Sequence, residues 1–150
     1  MKERIEEAVR NAKNIDEVKS LVLSVLEETR SKGAERVGYV AGLITSEGPE
    51  NIDKNVQRLV KFTDNIRTQK DFPIFSSTDV ISDELFERLG LEEFQKTDWE
   101  KFWRDILGAE GRYITDIFMT PRWEVSRGSR DEHAVAKEVG MQIHYLTEEI

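Results

Sequence analysis

The chain has 150 residues, enough for one domain with a substantial core and too few to expect two. Its 38% hydrophobic and 35% charged residues suit a soluble globular protein, and a net charge of −8 argues against a nucleic-acid backbone as the main partner. The lack of cysteine excludes disulfides, thiolate nucleophiles and Cys-ligated metals. No apolar run approaches the ~20 residues of a membrane span, and MKERIEEAVRNAK lacks the apolar core of a signal peptide. A cytoplasmic protein with no membrane partner is the expectation.

Ile5, Ala8, Val9 and Ala12 have helical spacing. Asn14 and Glu17 read as a capping box that opens a second helix. Its apolar face holds Val18, Leu21, Val22, Val25 and Leu26, and Gly33 is its stop. This pair, residues 1–35, forms an N-terminal extension that either covers a sheet face or makes a subunit contact. Arg36–Gly42 (RVGYVAG) reads as a short buried parallel strand. A polar loop follows, then a helix marked by Ile52, Val56, Leu59, Val60 and Ile66. Phe72-Pro73-Ile74-Phe75 reads as a second strand, placed at a sheet edge by its proline.

Two short helices come next, one from Ser82 to Gly90 and one opened by a capping box at Thr97 and Glu100. Trp99, Phe102, Trp103, Ile106 and Leu107 form the core face of the second. The last third reads as strand (117–119), loop, helix from near Ser129, and strand (141–146). Residues 36–150 thus make an α/β domain with parallel strands, helices on both faces and a site where loops meet helix N-termini.

Ser129 and Glu132 have capping-box spacing, so Glu132 has a structural reading. The functional reading is a carboxylate kept ionised by the helix N-terminus, available as a nucleophile. Arg122, Arg127 and Arg130 are either a solvated surface or a site for an anion, helped by Gly128 and the backbone N–H groups of the helix start. Trp123 either stacks on a base or packs. His133 and His144 lack the spacing of a metal site. No GxGxxG, P-loop or GxSxG occurs.

The strand Val37-Gly38-Tyr39-Val40-Ala41-Gly42 resembles the Y-x-A-G opening of the nucleoside 2-deoxyribosyltransferase-like family. Thr115-Asp116-Ile117 and the run from Trp123 to Ala136 resemble its second signature, with Ser126, Gly128 and Glu132 on the motif positions. The similarity spans roughly residues 37–146 and is most specific in the last third. It implies a flavodoxin/Rossmann-like three-layer sandwich with a mostly parallel sheet of four or five strands. It also implies cleavage or transfer at the N-glycosidic bond of a (deoxy)nucleoside or its 5′-monophosphate. Glu132 would be the nucleophile and Tyr39 its positioning partner, with Gly42, Trp123, Ser126, Arg127, Gly128 and Arg130 around the substrate.

No metal or cofactor is implied, and relatives are commonly dimers or larger. One departure stands out. The family carries an aspartate eight residues before the position of Asp116, and Gly108 stands there. Asp105 or Glu110 could substitute, with Asp105 preferred, and the rival to catalysis is an inactive nucleotide-binding module.

Overall fold

A computed structural model describes residues 1–147. Helices α1 (Lys2–Val9) and α2 (Ile15–Ser31) form the N-terminal pair. The Asn14 side chain accepts from Glu17 N at 2.8 Å, as the spacing predicts. Ile5, Val9, Val18, Val22 and Leu26 are buried in one cluster with Tyr39, Phe75, Ile117 and Met119 of the sheet. The pair therefore covers a sheet face.

Four strands, β1 (Gly38–Ala41), β2 (Ile74–Ser76), β3 (Asp116–Met119) and β4 (Gln142–Tyr145), form an all-parallel sheet in the order β2-β1-β3-β4. Pro73 immediately precedes the edge strand β2, where its missing N–H costs no ladder bond. Every residue of β1, β2 and β3 is buried, which explains their continuous apolar runs.

Alternation sorts these residues onto two faces. Tyr39, Ala41, Ile117 and Met119 face α1, α2, α7 (Trp99–Leu107) and α8 (Arg127–Val139). Val40, Phe118 and Ile74 face Leu59 and Ile66 of α3 (Ile52–Gln69). The result is a flavodoxin/Rossmann-like α/β sandwich. Among the described residues, no helix is long and apolar enough to cross a membrane.

The structure departs from the sequence reading between β2 and β3. Four helices fill this stretch: α4 (Ser77–Val80), α5 (Asp83–Leu89), α6 (Leu91–Lys96) and α7. Gly90, at φ 88°, ends α5 and starts α6 in one residue, so it is a corner between helices. The cap of α7 is Asp98, which accepts from Lys101 N at 3.0 Å. The Thr97 hydroxyl instead donates back to Glu93 O at 2.7 Å, closing the preceding turn. Thr and Asp are both capping residues, and spacing alone chose the wrong neighbour.

Candidate functional site

The start of α8 sets the site. The N-cap is Ser126, whose hydroxyl accepts from Ser129 N at 3.2 Å, so the helix opens three residues earlier than its capping-box reading. Glu132 is therefore the sixth helical residue, beyond the first turn, and it caps nothing. Its side chain turns into the core, where it is 8% exposed, and the Tyr39 hydroxyl donates to Glu132 Oε2 at 2.5 Å. Tyr39, 1% exposed in mid-β1, carries the chain's inward pattern to the α8 face. Phe75 meets its ring edge-on at 5.2 Å and Trp103 lies tilted at 5.5 Å.

This apolar enclosure decides the electrostatics. Burial pushes the Glu132 carboxyl up to about 8; the Tyr39 hydrogen bond opposes that rise and the nearby Asp131 adds to it. The helix N-terminus was expected to keep the group ionised. That influence fades beyond the first turn, and desolvation wins. Tyr39 is itself pushed well above its usual value, by burial first and then by the Glu132 charge. At neutral pH burial thus favours the protonated form of both groups.

Around this pair, Ser129 is 1% exposed, and its hydroxyl is the one buried side-chain polar atom without a partner among the described residues. It lies one turn before Glu132, on the same side of α8. The sequence places Ser129 both at the loop–helix junction by chain order and as a cap three residues before Glu132, a spacing that does not tell a cap from a lining residue.

Asp105 is not brought to the site. It accepts from Lys19 and Lys101, each at 2.7 Å, and both hold its carboxyl below the usual range. On α7, Trp103 faces Tyr39, and two residues further is about 200° around the helix. Gly108 ends α7, and a Cβ there would sit 2.9 Å from Arg104 O and 3.4 Å from Val135 Cγ1. The close contact is with the preceding turn of α7 itself, and the α8 side chain lies at ordinary contact distance.

Gly42 serves a close approach of backbone to side chain. A Cβ there would meet Thr120 Oγ1 at 2.5 Å and Leu59 Cδ1 at 3.1 Å, and Thr120 Oγ1 donates to Ala41 O at 2.9 Å. Gly42→Ala is expected to destabilise by about 1–3 kcal/mol, because Thr120 must give up that bond or β1 must move. Urea unfolding of the two chains measures it, and an unchanged midpoint would show that the loop yields freely.

The arginines are already engaged. Arg122, in a left-handed conformation at φ 67°, pairs with Glu47 at 2.7 Å. Arg130 Nη1 donates to Glu124 O at 2.6 Å. Arg127 is 86% exposed and lies 3.5 Å from Glu100. Trp123 stacks on His133 at 4.3 Å, so one of its faces is taken by packing. Gly128 is exposed in the first turn of α8 with no neighbour crowding its Cα.

Two surface grooves lie elsewhere. One of about 170 Å³ is lined by Glu6, Asp79 and Arg88 among others, and one of about 230 Å³ by Lys19, Glu93 and Lys101 among others. Neither contains Tyr39 or Glu132. In the first, Arg88 donates to the backbone carbonyls of Ala12 and Val9; in the second, Lys96 pairs with Glu93 at 3.0 Å. Among the described residues, no group of three or more His, Asp or Glu is placed to hold a metal ion. Comparison with family models, with curated proteins and with solved structures finds no match to this chain.

Proposed function

We propose that the protein cleaves or transfers at the N-glycosidic bond of a (deoxy)nucleoside 5′-monophosphate, with Glu132 as nucleophile. The observation that carries this reading is the 2.5 Å Tyr39–Glu132 hydrogen bond, in which the tyrosine fixes one carboxylate oxygen and leaves the other for the substrate. The two residues fall on the positions that the resemblance to the nucleoside 2-deoxyribosyltransferase-like family assigns to nucleophile and positioning tyrosine. In the reaction, a Glu132 oxygen bonds to the anomeric carbon as the carbon–nitrogen bond breaks. The electron pair leaves with the base, which takes a proton from solvent. Water (hydrolysis) or a second base (transfer) then attacks the glycosyl ester and frees the carboxylate.

The Glu132 proton must leave before this step. The positive charge that develops on the sugar favours the ionised carboxylate, and in the free protein about a tenth of the sites are ionised at pH 7. The rate at limiting substrate is therefore expected to climb with pH and level off above about 8. A flat profile between pH 6 and 9 would contradict an ionised Glu132 as the attacking group.

The preference for a monophosphate rests on the start of α8. Ser126 is a hydroxyl where a carboxylate would repel a phosphate, and helix N-termini favour anions. Ser126→Asp keeps a good N-cap, so the fold is retained while the charge reverses the preference. It is expected to weaken monophosphate binding relative to nucleoside binding by ~1–3 kcal/mol, read by calorimetry. Equal affinity of the unmodified protein for a nucleoside and its monophosphate would remove phosphate from the account.

A second reading, a nucleotide-binding module without turnover, is favoured by one observation. Neither position expected to supply a carboxylate for the leaving base does so here, since Asp105 is tied to Lys19 and Lys101 and position 108 is a glycine. Binding of a monophosphate without release of free base would select it.

A further inference from the structure

The two borders of the sheet, β2 and β4, are finished differently. In a parallel ladder, alternate residues turn both N–H and C=O to the same neighbour. Gly38 N donates to Pro73 O, so on β2 it is Ile74 and Ser76 that face outward. Side chains seal those groups: Arg67 Nε donates to Ile74 O at 3.1 Å and Ser76 N donates to Asp79 Oδ2 at 3.0 Å. On β4, Gln142 N and Leu146 N donate to Thr115 O and Met119 O, which turns Ile143 and Tyr145 outward. Among the described residues, nothing meets the N–H or C=O of either. The run 141–146 (MQIHYL) also holds no proline and no Lys, Arg, Asp or Glu, the residues by which edge strands avoid pairing.

The flank of this edge is apolar and cationic. Tyr145 is 54% exposed. The Tyr145 hydroxyl lies 2.7 Å from His133 Nε2, which places the β4 side of α8 at His133 and its neighbours Arg130 and Lys137. Arg130 bonds a backbone carbonyl, and neither cation pairs with a carboxylate among the described residues. Both therefore stand as positive charges on this flank of a chain that has 30 acidic and 22 basic residues. Burial first and then the Lys137 charge lower His133, against the Glu124 charge.

We propose that β4 is a docking edge for an extended, carboxylate-bearing segment of a partner polypeptide, which adds as a fifth strand with acidic side chains toward Arg130 and Lys137. Backbone pairing to Ile143 and Tyr145 supplies affinity, and the flank supplies selection. A second copy pairing β4 to β4 about a two-fold axis would bring Arg130 and Lys137 against the same cations of its mate. An acidic strand answers those charges, whereas a copy repeats them.

The test uses the full chain and a fluorescent, end-blocked hexapeptide of alternating Glu and Val, with an alternating Lys and Val peptide as counterpart, read by anisotropy. Saturable binding of the Glu peptide is expected, about tenfold or more tighter than the Lys peptide. Tyr145→Pro removes one outward N–H and leaves the β3 ladder intact, and it is expected to abolish binding. Lys137→Glu, an exposed helix position that cancels the Arg130 charge, is expected to erase the preference for the Glu peptide, and it decides the matter if the proline variant fails to fold. Absence of saturable binding, or Glu-peptide binding untouched by Lys137→Glu, overturns the proposal. So does a concentration-dependent dimer that Tyr145→Pro dissolves, which would make the occupant a second copy.

Discussion

Glu132→Gln is expected to abolish turnover and, at the same time, to make the protein more stable at neutral and alkaline pH. The amide accepts the Tyr39 hydrogen bond as the acid does, and it cannot form the glycosyl ester. The stability effect follows from the proton. The folded chain holds the Glu132 proton up to about pH 8, whereas the unfolded chain releases it near 4.5. Between those values the folded state binds more protons, so each rise in pH favours unfolding. The parent therefore carries full stability from this site below about pH 4.5 and loses it progressively toward pH 8.

At pH 7 the loss is up to about 3 kcal/mol. The glutamine variant pays nothing. Urea unfolding at pH 5 and pH 8 should show the two chains nearly equal at the first and the variant well ahead at the second. A gap that does not change with pH would mean that burial does not hold the proton on Glu132.

The largest loss of stability is expected from Asp116→Ala, far from the reacting pair. Asp116 opens β3 at 1% exposure and accepts from Arg36 Nη2 at 2.6 Å, His144 Nε2 at 2.8 Å and the Thr115 hydroxyl at 2.6 Å. Burial alone would raise its carboxyl, but the bonds from Arg36, Thr115 and His144 outweigh it and hold the group down to about 2. Removing the acid strands three donors at the foot of the sheet. About 3 kcal/mol is expected, less than for a fully enclosed pair because the Arg36 side chain is 43% exposed.

The pH signature has the opposite sign to that of Glu132. The folded value lies below the ordinary 3.8, so the contribution is present above that pH and is lost as pH falls toward 2. Parent and variant should converge by about 2 kcal/mol between pH 5 and pH 2. A constant difference would assign the loss to packing alone.

These two carboxyls show what the sequence could and could not convey. The α/β alternation, the edge position of β2 and the cap of α2 were legible because each rests on a local signal: period, a proline, an Asn with Glu three residues on. Glu132 is a candidate from its place near a helix start and Tyr39 from the resemblance, and their contact joins residues 93 apart. No local pattern encodes such a contact, and the inference that Glu132 would stay ionised failed for the same reason. Dipole and cap are local quantities, whereas the burial that controls the proton comes from β1 and the aromatic residues of α7.

Asp105 shows the converse. One residue's shift along α7 changes its face by about 100°, and it is Trp103 that faces Tyr39. The salt-bridged fate of Arg122 depends on Glu47 in a distant loop, which composition could not pair with it.

The most direct test of the central claim is a mass-spectrometric search for free base released from a set of nucleosides and nucleoside 5′-monophosphates. The parent chain and Glu132→Gln are run side by side, with binding to each confirmed by thermal stabilisation. The account predicts base release by the parent, preferentially from a monophosphate, and none by the folded glutamine variant. Release that survives Glu132→Gln, or ligand binding with no release by the parent, would contradict it.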